Sequence, residues 1–262
     1  MRKLALPWGM EIKVDVREAV GLSLWYRCIF ELEVSEVLWR LIKPGDLVID
    51  VGANVGYMTS IMASRCGTTG TVLAFEPHQF VFSVLKDNVQ LFKQNKKAGK
   101  ITIFNAALSN ARKEQRLVSF NEDDILKSWG TSYLSDDQSQ GIPAMTTTLD
   151  EIVSKQSVSL VKIDVEGHEL RVLEGAQNLL RQKMIKNIVY ENLVGAGDSV
   201  HKYLEGFGYT IFYISWGIKG VKLIPLKTLE ALNPGAPNYL ASLESSFSVP
   251  EFKQWGWQCL VC

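Results

Sequence analysis

Several side chains that can exchange protons lie together near the middle of the chain. Residues 164–169 (DVEGHE) end a predicted strand, and Glu166 and His168 within them could act as a base, since histidine titrates near neutral pH. Glu169 could instead stabilise a helix N-terminus. Glu191 ends a later apolar run and could contact a substrate hydroxyl. We therefore expect Glu166, His168 and Glu191 as catalytic candidates, with a solvent-facing His168 and a structural Glu191 as the competing interpretations.

Carboxylates in the same region could also hold a metal ion. Asp164, Glu166 and Glu191 offer the oxygen ligands that magnesium prefers, but nothing in their spacing requires a metal. The CxxC pair of Cys259 and Cys262 has no second CxxC or histidine pair to complete a site, which indicates an incidental tail. We predict no metal.

A glycine-rich loop follows a strand-like run at residues 47–57 (LVIDVGANVGY). Gly52 and Gly56 would let the backbone pass close to a ligand. The dinucleotide fingerprint would need glycine where Asn54 and Tyr57 stand, and no GxxxxGK[ST] motif occurs. The expected ligand is therefore nucleoside-like without a polyphosphate, and nicotinamide-dependent oxidoreduction is the weaker alternative.

Polar residues at later strand ends could complete this nucleoside site. Glu76 lies twenty residues beyond Gly56, where a carboxylate can accept both hydroxyls of a ribose. Asp50 could tie down the loop or contact a cofactor amino group. Asn105 offers an amide near an adenine, or it satisfies nearby backbone groups. The loop and the distant acid together predict a ribose-bearing cofactor.

Parallel strands would bring these residues to one edge of a sheet. Apolar runs predict strands beginning at Leu47 and at 71–77, 101–107, 158–164 and 188–191, and helices at 81–92, 169–182 and 199–207. Their alternation predicts an α/β fold with a doubly wound, mostly parallel sheet. Runs 209–216 and 221–225 predict an antiparallel hairpin at one edge. Ligands bind at the carboxyl ends of strands in such sheets.

The remaining segments surround this core. We expect an N-terminal helical cover segment at 1–44, the core at 45–245 and a tail at 246–262. Aromatic residues of the first segment either cover the cleft or pack a helix onto the sheet; they are Trp8, Trp25, Tyr26, Phe30 and Trp39. The polar stretch 109–148, with Trp129 and Tyr133, is either a solvated excursion with its own hairpin or a lid over the substrate.

Composition limits the partners. Lys plus Arg equals Asp plus Glu at 28 each, and the turn after the fourth strand lacks a proline-aromatic pair for stacking a flipped base, so we expect no nucleic acid. The apolar stretches are strand-length, which predicts no membrane span. Four cysteines in 262 residues are typical of a reducing compartment, so we expect a cytoplasmic protein.

The motifs together resemble one enzyme family. DVGANVGYMT, LAFEP, NAALS, TTLDEI, VKIDVEGHELRVLEGA and IVYE, spread over roughly residues 36–240, look like the FkbM-type S-adenosylmethionine-dependent methyltransferases. The resemblance implies a class I methyltransferase fold with S-adenosylmethionine as cofactor. The implied reaction is O-methylation of a hydroxyl on a small acceptor, such as a sugar or a natural product (a polyketide, macrolide or glycoside). A non-catalytic, cofactor-binding scaffold on the same fold is the alternative.

The resemblance also assigns roles to cofactor-binding residues. The methionine end would be lined by Asp50, Gly52, Ala53, Asn54 and Gly56. Glu76 would hold the ribose, and Asn105 and Ala106 would border the adenine. The set of cofactor candidates is completed by Tyr57, Pro77 and Asp164.

Overall fold

The computed structural model describes residues 1–119, 132–135, 137, 139, 141–153, 156–192, 198–228, 238–244, 252 and 254–260. The strands are β1 (Arg2–Ala5), β2 (Glu11–Val14), β3 (Leu47–Val51), β4 (Thr71–Phe75), β5 (Lys100–Phe104), β6 (Ala107–Leu108), β7 (Glu114–Ser119), β8 (Ser132–Ser135), β9 (Ile142–Thr147), β10 (Val158–Ile163), β11 (Ile185–Glu191), β12 (Thr210–Gly217), β13 (Gly220–Pro225) and β14 (Asn238–Ser242). The helices are α1 (Ala19–Arg27), α2 (Leu32–Leu41), α3 (Tyr57–Cys66), α4 (Gln79–Phe92), α5 (Leu149–Ile152), α6 (Glu169–Glu174), α7 (Gln177–Arg181) and α8 (Ser199–Gly206).

The central sheet has the strand order β13-β12-β14-β11-β10-β3-β4-β5. The five strands from β11 to β5 are parallel to one another, whereas β14 runs antiparallel between β11 and β12. The β12–β13 hairpin forms one edge. This confirms the predicted α/β sheet with an antiparallel edge hairpin. Strand β14 was not predicted, and it separates the hairpin from the parallel strands.

Both faces of the sheet are covered by helices. Alternate residues of β3 point to opposite faces: Val48 joins a core with α1–α4, while Ile49 and Val51 join a second core with α5–α8. All three side chains are almost fully buried. A continuous β-branched run is what a parallel strand buried on both faces requires.

Two predicted elements are interrupted. The strand predicted at 101–107 leaves the sheet after Phe104, and Ala107 continues as β6 in a second sheet of order β6-β9-β7-β8. The helix predicted at 169–182 is two helices, which are separated by Gly175 and Ala176. Glycine at 175 lets the chain pass the carbonyl of Ser109, which would lie 2.0 Å from an added Cβ. The Asp150 carboxylate accepts the first amide hydrogens of α7, from Asn178 (2.9 Å) and Leu179 (3.0 Å), and so starts a new helix there.

The N-terminal segment is less helical than expected. It contains α1 and α2, but it begins with the antiparallel hairpin β1–β2. Asn88 of α4 anchors this hairpin: its side chain accepts from the Lys13 amide (2.8 Å) and donates to the Lys13 carbonyl (2.9 Å). Trp8 is buried against Trp39, whereas Tyr26 is 77% exposed. The aromatic residues therefore divide between packing and surface positions.

The described part of the C-terminal tail packs on α2. Glu36 accepts hydrogen bonds from the amides of Gln258 (2.8 Å) and Cys259 (2.9 Å) and pairs with Arg40 at 2.6 Å. Arg40 in turn donates to the carbonyl of Gly256 at 2.8 Å. Both ion-pair side chains are buried, so this contact fixes α2 and the tail together. No helix in the described ranges is long and apolar enough to cross a membrane.

Candidate active site

A cavity of about 220 Å³ opens at the carboxyl ends of β3, β4, β10 and β11. This is the sheet edge at which the sequence predicts ligand binding. The predicted site residues that line it are Gly52, Ala53, Asn54, Tyr57, Glu76, Pro77, Ala106, Asp164, Glu166 and Glu191. Asp50, Gly56, Asn105 and His168 lie outside this lining. Leu117 of β7 and Leu134 of β8 also line the cavity, so part of the 109–148 stretch faces it, while Trp129 lies outside the described residues.

The glycine loop is shaped by packing as much as by space for a ligand. Gly52 has φ +78°, and a Cβ there would lie 1.9 Å from the carbonyl oxygen of Asp164. Gly56, at φ +94°, would place a Cβ 2.7 Å from Leu85 of α4. Both glycines therefore allow close approach within the protein, of β3 to the end of β10 and of α3 to α4.

Glu76 closes the nucleoside end of the cavity. Its carboxylate accepts the amide hydrogens of Asn54 (3.0 Å) and His78 (2.9 Å), one on each oxygen. Burial raises the pKa of Glu76 to about 7, although these two hydrogen bonds act in the opposite direction. Each oxygen keeps a further lone pair, so the carboxylate can still accept two hydroxyls.

Asn54 supplies a second indication of a polar ligand. It has φ +48°, and its buried Oδ1 has no hydrogen-bond partner among the described residues. Buried polar atoms are normally satisfied, so an unpaired acceptor in the cavity wall fits a ligand that donates a hydrogen bond. Together with Glu76, it fits the nucleoside and amino groups of the expected cofactor.

Asp50 lies behind the loop. It is fully buried and accepts a hydrogen bond from the Thr59 hydroxyl at 2.5 Å, which ties β3 to α3. Burial raises the pKa of its carboxyl, and Oδ1 has no partner among the described residues. This position does not support the predicted contact with a cofactor amino group. It supports the alternative, in which Asp50 ties down the loop through its hydrogen bond with Thr59.

Asn105 supports the turn after β4. Its amide donates to the carbonyls of Glu76 (2.9 Å) and Pro77 (3.0 Å), and its side chain is exposed. The geometry matches the interpretation in which Asn105 satisfies nearby backbone groups. Ala106 lines the cavity next to it.

The other end of the cavity is a group of carboxylates around one buried lysine. Lys162 Nζ lies 2.9 Å from Asp164 Oδ2. Burial lowers the pKa of Lys162, but Asp164, Asp50 and Glu31 outweigh it, so the pKa is raised overall. The carboxyl of Glu191 lies against that of Asp164, and burial followed by this contact raises the pKa of Glu191 to about 7.

Glu31 joins this group from the N-terminal segment. It lies at the start of α2 and lines the cavity. Burial, followed by the charge of Asp164, raises the pKa of its carboxyl to about 8. Neither Glu31 nor Lys162 was predicted from the sequence as a site residue. For Lys162 a signal was present, since a charge inside the apolar run VSLVKI must be paired when it is buried.

The turn after β10 divides the predicted catalytic residues. Glu166 lines the cavity at φ +52°, and burial raises the pKa of its carboxyl. His168 lies outside the cavity lining, with Nε2 3.0 Å from the Ser109 hydroxyl, so its catalytic role stays a prediction without support from this geometry. Glu169 accepts the amides of Val165 (3.3 Å) and Gly167 (3.1 Å) and fixes the turn. In the part of the chain that the structure describes, no three acidic, histidine or cysteine side chains are placed to hold a metal.

Comparisons with known proteins identify the family of this chain. The family model of the methyltransferase FkbM domain matches residues 50–211, which is more than half of the chain. A hexuronic acid methyltransferase, AglP, of Haloferax volcanii is 32% identical over 154 residues, or 58% of this chain and 58% of that protein. The 31-O-demethyl-FK506 methyltransferase FkbM of Streptomyces tacrolimicus is 28% identical over 201 residues, or 65% of this chain and 75% of that protein. The match thus covers less than two thirds of the archaeal relative.

A solved structure supports the fold. The crystal structure of the methyltransferase FkbM from Methylobacillus flagellatus superimposes with a TM-score of 0.50 at 14% identity, covering 84% of this chain and 57% of that one. The family match adds what the fold alone leaves open, namely the cofactor. The chain has a class I methyltransferase fold, uses S-adenosylmethionine and belongs to the FkbM methyltransferase family.

Proposed function

We propose that the protein transfers the methyl group of S-adenosylmethionine to a hydroxyl group of a small acceptor, a sugar or a natural product such as a polyketide, macrolide or glycoside. The observation that carries the proposal is a single cavity with two unlike ends: Glu76 and the glycine loop at one, and Asp164, Glu166 and Glu191 at the other. The names of two relatives, a hexuronic acid methyltransferase and a 31-O-demethyl-FK506 methyltransferase, support a sugar or natural-product acceptor.

We assign the first end to the cofactor. Glu76 accepts the ribose hydroxyls on its free lone pairs, and Asn54 Oδ1 accepts a donor of the ligand. Pro77 and Ala106 border the base, and the backbone at Gly52 and Ala53 gives the methionine end its space. Tyr57 lines the same wall and is held by a 3.0 Å hydrogen bond with Ser35.

We assign the second end to the acceptor. When bound, the cofactor supplies a methyl group on a sulfonium sulfur, and that sulfur leaves readily as a neutral thioether. The protein must therefore align the hydroxyl and remove its proton. Alignment of the reactants provides effective molarities of about 10⁵–10⁸ M. A placed general base typically raises the rate by a smaller factor, about 10²–10⁴. We assign Glu166 and Glu191 to orienting the acceptor hydroxyl; burial raises the pKa of both carboxyls, that of Glu191 to about 7.

Calorimetric titration with S-adenosylmethionine, S-adenosylhomocysteine and NAD tests the cofactor, and mass spectrometry of incubated glycosides and polyketides tests the reaction. We expect binding of the first two ligands only, and a mass gain of one methyl group on an acceptor. Cofactor binding without transfer to any hydroxylated acceptor would favour the alternative, a cofactor-binding scaffold. Binding of NAD alone would favour an oxidoreductase.

The partners and compartment follow from composition. Equal numbers of basic and acidic residues, 28 each, support a small acceptor over nucleic acid. Cys28 and Cys66 are free thiols, which supports the expected reducing cytoplasm. Salt-independent binding of the acceptor would agree with the first proposal, since nucleic-acid binding weakens steeply with salt.

A further inference from the structure

Two glutamates stand at equivalent positions of neighbouring helices and behave differently. Glu18 is the N-cap residue of α1, and its carboxylate accepts the amides of Val20 (3.2 Å) and Gly21 (2.8 Å). Glu31 is the N-cap residue of α2, and its side chain makes no capping hydrogen bond. A side-chain cap stabilises a helix N-terminus, so α2 forgoes a contribution that α1 uses.

The carboxylate of Glu31 lines the cavity instead. Its backbone adopts φ +41°, a left-handed conformation that a residue with a side chain seldom takes. The preceding Phe30 lines the same wall and stacks edge-on with Tyr57 at 6.3 Å between ring centroids. Local rules broken in this way, at a cavity, are typical of functional positions.

Two neighbouring carboxylates, those of Glu76 and Asp164, are held by other groups. Glu76 accepts two backbone amides, at the cofactor end. Asp164 is paired with Lys162 and lies against Glu191. Glu31 comes from the N-terminal segment and lines the same cavity within electrostatic range of Asp164, Lys162 and Glu191, so it lies at the end assigned to the acceptor.

We propose that Glu31 is a catalytic residue that accepts the proton of the acceptor hydroxyl during methyl transfer. This inference rests on the proposed function. The acceptor oxygen forms a bond to the methyl carbon while the carbon–sulfur bond breaks, and its electron pair stays on sulfur. The hydroxyl proton passes to the Glu31 carboxylate and leaves to solvent with the product.

The charges around Glu31 suit this role. The titratable groups that face it are Asp164 and Lys162 of β10 and its following turn, Glu191 of β11, Glu33 of α2 and Tyr57 of α3. Burial and the carboxylates raise its pKa to about 8, while Lys162 favours the ionised form. A base whose pKa lies near the working pH is ionised in a useful fraction of molecules and still has a large driving force for accepting a proton.

The first test needs no acceptor and measures thermal unfolding of the protein without ligands. Because the pKa of Glu31 is raised on folding, its ionisation in the unfolded chain removes stability as pH rises from the unfolded value toward about 8. We expect Glu31→Gln to melt like the wild type at about pH 4 and above it at about pH 8.5. Glu33→Gln, on the first turn of the same helix and outside the cavity lining, removes the smallest of the charges that raise the pKa of Glu31, so it should keep most of the wild-type pH dependence.

The second test separates the acceptor from the cofactor. Glu31→Gln should bind S-adenosylhomocysteine as the wild type does, and its release of S-adenosylhomocysteine should fall about 10²–10⁴-fold with the best acceptor among methyl α-D-glucoside, mannoside and glucuronide. Weaker S-adenosylhomocysteine binding, unchanged turnover, or a pH dependence of melting equal to the wild type would each overturn the inference. Failure of the wild type to bind S-adenosylmethionine would instead remove the proposed function itself.

Discussion

The two ends of the cavity hold their carboxylates in different ways. At the cofactor end, Glu76 is fixed by the amide hydrogens of Asn54, in the glycine loop, and of His78, in its own turn. At the acceptor end, Asp164, Glu191 and Glu31 are balanced mainly by one another and by Lys162. Backbone donors keep their position without another charge, whereas at the acceptor end the balancing cation among the described residues is the buried Lys162.

This difference predicts which end is fragile. A buried charge that loses its partner is strongly destabilising, while a carboxylate bound by amides keeps its donors when a distant residue changes. Changes in protein charge at the acceptor end should therefore lower the stability of the fold. Changes in Glu76 or in the ligand at the cofactor end should instead lower the binding affinity. The predictions below test this contrast.

The largest effect is expected for Lys162→Met. Lys162 is 5% exposed, and its removal leaves Asp164 and its neighbours without a cation. We expect the free energy of unfolding to fall by about 3–5 kcal/mol at neutral pH, measured in urea. The loss should shrink in acid as the carboxylates become protonated.

A surface pair provides the control. Lys186 lies 2.7 Å from Glu244, but the two side chains are 56% and 40% exposed. Lys186→Met should change stability by less than about 1 kcal/mol, since exposed pairs contribute little. Equal losses for the two lysine variants would mean that burial of Lys162 does not set its importance.

Glu76→Ala should have the next largest effect, on cofactor affinity. Two hydrogen bonds to a charged group, each worth about 1.5–3 kcal/mol, correspond to at least about 100-fold weaker binding of S-adenosylhomocysteine in calorimetry. The pKa of Glu76 is raised to about 7 in the free protein, and the ionised form accepts the ribose hydroxyls. Wild-type affinity should therefore decline as pH falls below about 7, and the variant should lack this dependence. Affinity unchanged by Glu76→Ala would contradict the assignment of the cofactor end.

The same contrast explains what could be predicted from the sequence. The sheet, the glycine loop and Glu76 follow from short-range patterns, since apolar runs, turns and strand ends are local. Glu31 lies 133 positions before Asp164, and no spacing relates the two. Strand β14, NYLAS, has a polar residue at each end and a tyrosine-containing centre, and it becomes a strand through its pairing with β11 and β12.

The roles of individual side chains are harder to predict than their positions. Asp50 and Asn105 do lie at strand ends, but their side chains meet protein groups first: the Thr59 hydroxyl and the carbonyls of Glu76 and Pro77. A sequence pattern places a residue at an edge and does not give its rotamer. The direction of the side chain depends on packing between distant elements, which a single sequence does not contain.

Gly52→Ala tests how tightly the loop is joined to the acceptor end. The added methyl would lie 1.9 Å from the Asp164 carbonyl at φ +78°. Gly167→Ala is the matched control, because Gly167 has φ +88° but nothing within 4 Å of the added atom. Both variants bear the cost of a left-handed conformation, so the difference in unfolding free energy isolates the contact, and we expect Gly52→Ala to lose about 1–3 kcal/mol more. A larger loss for Gly167→Ala would show that β3 and the end of β10 can separate freely.

The smallest effect is expected for Asn105→Ala, and it distinguishes two interpretations of that residue. If Asn105 contacts adenine, its loss should weaken S-adenosylhomocysteine binding by about tenfold or more, since one hydrogen bond is worth about 0.5–1.5 kcal/mol and an unpaired ligand group adds to the loss. If it only supports the Glu76–Pro77 turn, the exposed side chain should contribute at most about 1 kcal/mol to stability, and affinity should change less than about threefold. The geometry favours the second result, because both amide hydrogen bonds go to backbone carbonyls and the Glu76 carboxylate is held separately, by Asn54 and His78. The cofactor end would then be fixed by its own backbone donors and should tolerate the loss of a neighbouring side chain. The acceptor end is built around Lys162 and should not tolerate the loss of that neighbour.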